Sequence, residues 1–354
     1  MSLNQSFVTT FLLIVSCLSL NAQQETGYRY GVEMQYGFII PHASDLVAVS
    51  QSNPVGLNLS YDNIRLGKRN WDICNCFHYL GVNLSHYSFN NPEVLGSATS
   101  LSGSFEPILW NNSSMQFSLM SGFGATYLSK VYDEETNPTN TFFSSPISFL
   151  LLVSPKFQWR MQKNLALTLS IRYNHISNGG QKQPNRGMNF PTAGIGLNYN
   201  PNPYSFPNYS AEKADRKQQY YVEAFGTLRG ETQGESRQPV AGLTIGAYQR
   251  VNAIQGIGAG FESQWDNSLK VLPEESNGFI HAPFIAHHFL FGKVDFSQRM
   301  GVYVKKPKIY EPDKSFYQRY VLSYLLKNSI KLGVALKAHG HVSENIEVRL
   351  GYQF

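Results

Sequence analysis

The chain has 354 residues and a formal net charge of +5, which is modest and spread along its length, so the sequence excludes a nucleic-acid-binding protein. Only 15% of its residues are charged, whereas about 25% are charged in typical soluble domains. Aromatic residues reach 14%. A large secreted β-sandwich would share part of this composition, but a transmembrane β-barrel fits it better, because its outer face is apolar and aromatic girdles line its ends.

The N-terminal segment has the features of a signal peptide. The apolar run 11–20 precedes Leu20-Asn21-Ala22-Gln23, a small-residue cleavage site. We therefore expect residues 1–22 to be removed after Sec-type export, although the segment before the apolar run has no Lys or Arg. A lipoprotein modified at Cys17 is the alternative. The mature chain contains no second apolar run long enough for a transmembrane helix.

Stretches of alternating apolar and polar residues recur along the mature chain. Clear examples are 115–127 and 332–339. Clusters rich in Asn, Pro, Gly and Asp separate them, for example 133–140, as expected for hairpin connections between strands. The predicted fold class is all-β, a transmembrane antiparallel β-barrel.

Cys74 and Cys76 are the cysteines of the mature chain. On a single strand both side chains would point to one face, which is poor geometry for a disulfide. A metal site would need further ligands nearby, so we predict no metal here.

The stretch 165–177 continues the alternation into a pair of polar residues. Its apolar set, which ends with Ile171 and Tyr173, is predicted to face lipid, and His175 and Ser177 continue that face. A neutral imidazole two residues from a serine can take the hydroxyl proton and activate Oγ. The turn that follows brings backbone N–H groups that can hold an oxyanion. On these residues alone, polar side chains that end a strand are the simpler explanation of the pair.

The mature chain divides into two halves around a connection. Three prolines and then a charge cluster make 201–217 a linker rather than a strand. It separates a first half, 23–200, from a second half, 218–354. Two architectures remain open, one barrel of about 14–16 strands or two tandem eight-stranded barrels, since such barrels close with an even strand number. We favour the single barrel, because the strands of the second half are weak.

The last strand, 345–354, alternates without a break over about ten residues, the length that a tilted strand needs to cross a bilayer. Its final residue, Phe354, resembles the signature with which outer-membrane barrels present their last strand to the assembly machinery. We predict that the protein lies in the bacterial outer membrane and that this machinery is a partner. Four residues near this end are predicted to form a structural ion-pair network in the lumen: Lys337, His339, Glu347 and Arg349.

A resemblance to a known family rests on two neighbouring stretches. The run 172–180, Arg-Tyr-Asn-His-Ile-Ser-Asn-Gly-Gly, and the run 183–189, Gln-Pro-Asn-Arg-Gly-Met-Asn, resemble the signature of the lipid A 3-O-deacylase family (PagL-like, also called acyloxyacyl hydrolases). That family has a His-x-Ser-Asn motif and a Pro-Asn-x-Gly turn in an outer-membrane β-barrel. The stretches 91–97 and 333–340 resemble the longer, roughly double-length members from Bacteroidetes-type bacteria.

The resemblance implies a role for each matching residue. Ser177 would be the nucleophile and His175 the general base. The Gly180 backbone N–H and the Asn185 side chain would lie near the oxyanion, with Asn178 supporting the turn.

One position departs from the family pattern. About twelve residues after the serine the family has an acid, and this chain has Asn189. An amide can accept a hydrogen bond from the imidazole, but it does not stabilise the imidazolium as a carboxylate does.

The sequence therefore predicts an outer-membrane serine esterase that hydrolyses the 3-O-linked acyl ester of lipid A in lipopolysaccharide, without a cofactor or metal. Its substrate partner would be the lipopolysaccharide of the outer leaflet, and a homodimer is compatible with the sequence. The alternative is a non-enzymatic barrel, a pore or a structural protein, that kept the fold. Asn189 and the extra half of the chain favour that alternative.

Overall fold

The computed structural model describes residues 26–179, 182–210, 216–229, 238–271, 278–340 and 342–354. The predicted signal peptide lies outside these ranges. Within them, no helix is both long and apolar enough to cross a membrane.

The first half of the chain forms a closed eight-stranded antiparallel barrel, here called barrel 1. It closes by pairing its first and last strands, with Tyr30 opposite Tyr199. A short helix, α1 (Lys68–Cys74), connects its second and third strands. The strands are β1 (Thr26–Gly37), β2 (Val55–Arg65), β3 (His78–Ser88), β4 (Ser97–Asn111), β5 (Met115–Leu128), β6 (Ile147–Arg160), β7 (Leu165–Ser177) and β8 (Met188–Tyr199).

The second half forms another closed eight-stranded barrel, barrel 2, in which the first strand pairs with the last, and Gly226 lies opposite Val348. The strands are β9 (Gln218–Arg229), β10 (Gln238–Arg250), β11 (Gln255–Asp266), β12 (Phe279–Phe291), β13 (Val294–Val302), β14 (Phe316–Leu325), β15 (Ile330–His339) and β16 (Val342–Gln353). The end that carries the β7–β8 connection of barrel 1 and the β13–β14 connection of barrel 2 is called the loop end, and the end that carries the β6–β7 and β12–β13 turns is called the turn end.

The expectation of a single barrel was wrong, and the tandem arrangement is the one found. The edge of β8 pairs with β1, and the edge of β9 pairs with β16, so each half satisfies its own backbone groups. An unpaired backbone group in hydrocarbon costs several kcal/mol, which makes closure of each half strongly favourable.

The prediction of which β7 side chains face outward and which face the lumen is confirmed. Ile171 and Tyr173 are exposed on the outside of the barrel, whereas Arg172 and Asn174 are fully buried inside it. In β16 the same alternation leaves Val348 68% exposed and Glu347 buried. An outer surface of exposed apolar side chains around a polar interior is the pattern of a barrel that faces lipid.

Buried ion pairs lie in both lumens, and they include the network predicted on the last two strands. In barrel 1, Arg29 donates to Glu106 at 2.7 Å. In barrel 2, Glu347 lies between Arg319 and Arg349, each at 2.8 Å. The predicted lumen residue Lys337 pairs with Glu344, and His339 Nδ1 lies 3.7 Å from the same carboxylate. These pairs compensate charges that would otherwise be costly to bury.

Apolar side chains close both ends of barrel 1. At the loop end, Leu46, Phe142 and Phe190 are fully buried in one cluster, which holds the long loops together. At the turn end, the linker residue Tyr204 inserts its hydroxyl 2.6 Å from that of Tyr79. The loop-end cluster gives the residues that follow β7 a rigid support.

The prediction that Cys74 and Cys76 do not pair was wrong. Cys74 ends α1 and Asn75 adopts a left-handed conformation, φ 50°, so the two cysteines lie on a tight bend rather than on one strand. They form a disulfide at the turn end.

Candidate active site

Two outward-facing side chains at the loop end of β7, His175 and Ser177, begin the site. Both are partly buried. Across the sheet, His175 pairs with Asn189 of β8 and Ser177 pairs with Phe149 of β6. The sheet register thus places the predicted histidine beside the residue that stands in the position of the family acid.

A hydrogen bond joins His175 to Asn189. The distance between His175 Nδ1 and Asn189 Oδ1 is 2.7 Å. Because an amide oxygen only accepts, Nδ1 carries the proton and donates it. The other ring nitrogen, Nε2, then keeps its lone pair, which is the form of imidazole that a general base requires.

The hydroxyl of Ser177 is held by two donors from the loop that follows β7. Asn185 Nδ2 donates to Ser177 Oγ at 2.9 Å, and the backbone N–H of Gly179 donates at 3.2 Å. These bonds occupy both acceptor positions of the hydroxyl, so its own proton stays available for donation. Within the described residues, Ser177 and His175 share a face but form no hydrogen bond with each other.

Asparagines order the described parts of the connection after β7, residues 178–179 and 182–187. The backbone N–H of Asn178 donates to Asn185 Oδ1 at 3.2 Å, which fixes the orientation of the amide that reaches Ser177. The Asn178 side chain is buried and donates to the Lys182 carbonyl at 2.8 Å. Gly180, the remaining predicted oxyanion residue, lies outside the described residues.

Gly187 lies against both His175 and Ser177. Its φ is +68°, a conformation that L residues with side chains rarely adopt. A Cβ atom there would lie 3.1 Å from His175 Cε1 and 3.4 Å from Ser177 Cβ. Glycine at this position therefore lets the loop pack directly on the site.

Two neighbours of the site were not predicted from the sequence. His42, on the loop after β1, lies 2.9 Å through Nε2 from the Arg186 carbonyl and is near enough to interact electrostatically with His175. Ile346 of barrel 2 approaches the loop, since a Cβ on Gly179 would lie 3.5 Å from its Cδ1. Sequence spacing could not have identified either residue, because both reach the site through tertiary contacts from distant segments.

A possible metal-ligand cluster lies elsewhere in the described part of the chain. The ligand atoms of Cys74, Cys76 and His78 lie within 4.8 Å of one another at the turn end of barrel 1. Because the two sulfurs are bonded to each other, they are not available as thiolate ligands. The cluster is at the opposite end of the barrel from Ser177.

Family comparisons agree with this geometry. Residues 78–198, which include the whole of β7 and the loop after it, match the family model described as lipid A 3-O-deacylase (PagL). Residues 218–354, which form barrel 2, match the model described as acyloxyacyl hydrolase, C-terminal domain. The chain belongs to the PagL family. As a member of this lipid A deacylase family, it is a hydrolase of the outer membrane.

Solved structures similar to part of this PagL-family chain include two of low sequence identity. A crystal structure of the outer membrane enzyme PagL is 17% identical, covering 47% of this chain and 97% of that one, with a TM-score of 0.33. A structure of Neisserial surface protein A covers 49% of this chain and 96% of that one at 11% identity, with a TM-score of 0.35. None of the curated proteins compared with the chain matches it significantly.

Proposed function

We propose that the protein hydrolyses the 3-O-linked acyl ester of lipid A, with Ser177 as nucleophile. The observation that carries this proposal is the environment of Ser177 Oγ, which lies on the outer face of the barrel. Two N–H donors contact it, and His175, on the same face, is oriented by Asn189. A hydroxyl in this position meets its substrate from the lipid side.

The reaction takes two steps. As Ser177 Oγ bonds to the ester carbonyl carbon, its proton passes to His175 Nε2. The bond from that carbon to the sugar 3-oxygen then breaks, and the imidazolium returns the proton to the sugar oxygen. A water molecule next gives a proton to His175 while its oxygen bonds to the acyl carbon. The bond from that carbon to Ser177 Oγ then breaks, the imidazolium returns the proton to Oγ, and the fatty acid leaves.

The N–H groups of Asn185 and Gly179 stabilise the oxyanion that forms when the serine attacks the ester. They contact Oγ before the reaction, so they lie beside the carbonyl oxygen once the carbon has bonded to Oγ. Donors fixed in advance near a developing oxyanion stabilise the transition state most effectively. The Asn178–Asn185 hydrogen bond supports this pre-organisation.

The surface around Ser177 suits acyl chains. Ile171 and Tyr173 on β7 and Leu151 on β6 are exposed on the lipid-facing side. Long loops of bacterial barrels face the cell exterior. We therefore place the loop end in the outer leaflet, where the acyl chains of lipid A lie. Ile346 of barrel 2 would form part of the wall beside the site.

The domain assignment follows from the same proposal. Residues 1–22 would be removed on export, 23–200 would carry the catalysis, and 201–217 would link them to 218–354. Phe354 would present the last strand to the assembly machinery. Deletion of Phe354 should reduce the amount of folded protein in outer-membrane fractions, and an unchanged amount would contradict this role.

The pore alternative is not favoured by the packing. Leu46, Phe142, Phe143 and Phe190 are fully buried across the loop end of barrel 1. The buried pair Arg29–Glu106 fills space further inside. These groups occupy the path that ions would need through barrel 1.

The decisive experiment compares purified full-length variants acting on lipid A in detergent, with released 3-hydroxy fatty acid measured by mass spectrometry. Ser177→Ala and His175→Ala should each lower kcat by about a thousandfold or more. Ser121→Ala, which alters another exposed serine of barrel 1, is the matched control and should retain activity. Equal release by wild type and Ser177→Ala would contradict the proposal.

A further inference from the structure

A cavity of about 1040 Å³ lies between the two barrels at the turn end. Barrel 1 contributes the end of β2 and α1, and barrel 2 contributes the β12–β13 turn and β14. The barrels touch beside it. The rings of Phe105 and Phe291 lie 5.2 Å apart, and a Cβ on Gly292 would lie 2.6 Å from the Ile73 carbonyl oxygen. The cavity is therefore formed only when both barrels are present.

The lining of this cavity is strongly basic. Four cations line it, Arg65, Lys68, Arg69 and Lys293, against one carboxylate, Asp72. Asp72 pairs with Lys68 at 2.5 Å. Across the described residues, Arg65, Arg69 and Lys293 form no ion pair with a carboxylate. Three uncompensated positive charges thus converge on one space.

The position of the cavity is that of a lipid headgroup. Arg65 is the last residue of β2 and continues the outward face of Tyr61, which is exposed to lipid. Tyr324, near the end of β14, lines the same cavity and is exposed. The cations lie at the ends of membrane-crossing strands, and apolar groups lie next to them on the bilayer side. This arrangement is suited to binding an amphiphile with an anionic head.

We propose that this cavity binds the phosphate headgroup of an anionic phospholipid in the leaflet at the turn end. The guanidinium groups of Arg65 and Arg69 offer planar pairs of N–H donors to phosphate oxygens, and Lys293 adds a third charge. The acyl chains run along Tyr324 and the neighbouring outer surfaces. The bound lipid bridges barrel 1 and barrel 2.

This site is separate from the deacylase site. Ser177 lies at the loop end, and the cavity lies at the turn end, so the two face opposite leaflets. The lipid in the cavity is a structural ligand and not a substrate. Its binding therefore does not depend on Ser177, and the two proposals succeed or fail independently.

The test uses the full-length protein in detergent, with binding measured by native mass spectrometry. The probes are dihexanoyl phosphatidylglycerol, dihexanoyl phosphatidylcholine and inorganic phosphate. Wild type should bind the phosphatidylglycerol more tightly than the phosphatidylcholine. The triple variant Arg65→Gln/Arg69→Gln/Lys293→Gln should bind it about 100-fold more weakly, because each cation near an anionic lipid contributes roughly a factor of five.

A matched control keeps the same charge change away from the cavity. Arg160→Gln/Lys163→Gln/Lys327→Gln alters three exposed cations at the same end, and its affinity should equal that of wild type. If the triple variant does not fold, Arg69→Gln alone, on the exposed face of α1, should weaken binding about fivefold. Equal affinity for the two lipids, or for wild type and variant, would overturn the proposal. Displacement of the lipid by millimolar phosphate would overturn the lipid assignment in favour of a free-phosphate site.

Discussion

Asn189 Oδ1 lies 2.7 Å from Nδ1 of His175, across the β7–β8 pair. In the proposed reaction the amide performs the orienting part of an acid's role, since it selects the tautomer in which Nε2 is a base. It lacks the negative charge that would stabilise the imidazolium formed during the reaction. Asn189 thus orients the imidazole without supplying a negative charge, whereas a carboxylate would do both.

This separation predicts opposite effects for two substitutions. Asn189→Asp should raise kcat by about tenfold, because a carboxylate both accepts the hydrogen bond and stabilises the imidazolium. Asn189→Leu, of similar size, should lower kcat by about tenfold or more, because the ring loses its acceptor. Fatty-acid release from lipid A at saturating substrate measures both. Wild-type kcat in Asn189→Leu would show that His175 does not use this partner.

The amide of Asn185 provides the next prediction. Asn185→Ala removes the 2.9 Å donor to Ser177 Oγ and should lower kcat by about 100-fold, the usual effect of losing one oxyanion donor. KM should change little, because the interaction strengthens mainly in the transition state. Asn63→Ala, an outward-facing asparagine of β2, serves as the control. A pure KM effect in Asn185→Ala would indicate substrate binding instead.

The packing of Gly187 on the site can be tested by substitution, with Gly340 as the control position. Gly187→Ala places a Cβ 3.1 Å from the His175 ring and should abolish most activity. Gly340 has a similar φ of +66° but no atom within 4 Å of its Cβ position, so Gly340→Ala has the same backbone cost, about 1 kcal/mol, without a clash. Both variants should unfold at similar temperatures, and only Gly187→Ala should be inactive. Equal activities would show that the loop does not pack tightly on His175.

The contact between Ile346 and the loop after Ser177 predicts a role for barrel 2 in substrate entry. Ile346→Trp adds bulk beside Gly179 and should raise KM several-fold with a smaller effect on kcat, because it narrows the approach without touching the reacting atoms. Leu350→Trp, on the same face of β16 but nearer the turn end, is the control. An unchanged KM in Ile346→Trp would place the substrate path elsewhere.

Alternation along β7 was sufficient to predict the outward direction of His175 and Ser177, because one-residue steps in a strand alternate between lipid and lumen. The motif spacing also pointed to Asn189, which the β7–β8 register brings opposite His175. The position of His42 could not be predicted, since it depends on how the loop after β1 folds over the barrel mouth. The number of barrels could not be predicted either, because alternation identifies strands and not their partners. Whether the chain closes as one barrel or as two depends on which strand edges pair with each other.

The lumen of barrel 2 gives a prediction about stability. Glu347 is fully buried between Arg319 and Arg349, each 2.8 Å away. Glu347→Gln keeps the shape and removes the charge, which leaves two buried guanidinium groups with less compensation. The free energy of unfolding should fall by about 3 kcal/mol, as expected when one partner of a buried pair is lost. Glu134→Gln, at an exposed loop position, should have no measurable effect. Urea unfolding of the purified protein, followed by circular dichroism, compares the two. If Glu347→Gln unfolds at the wild-type urea concentration, the pairs Lys331–Asp295 and Arg299–Glu223 would be sufficient to hold barrel 2 closed.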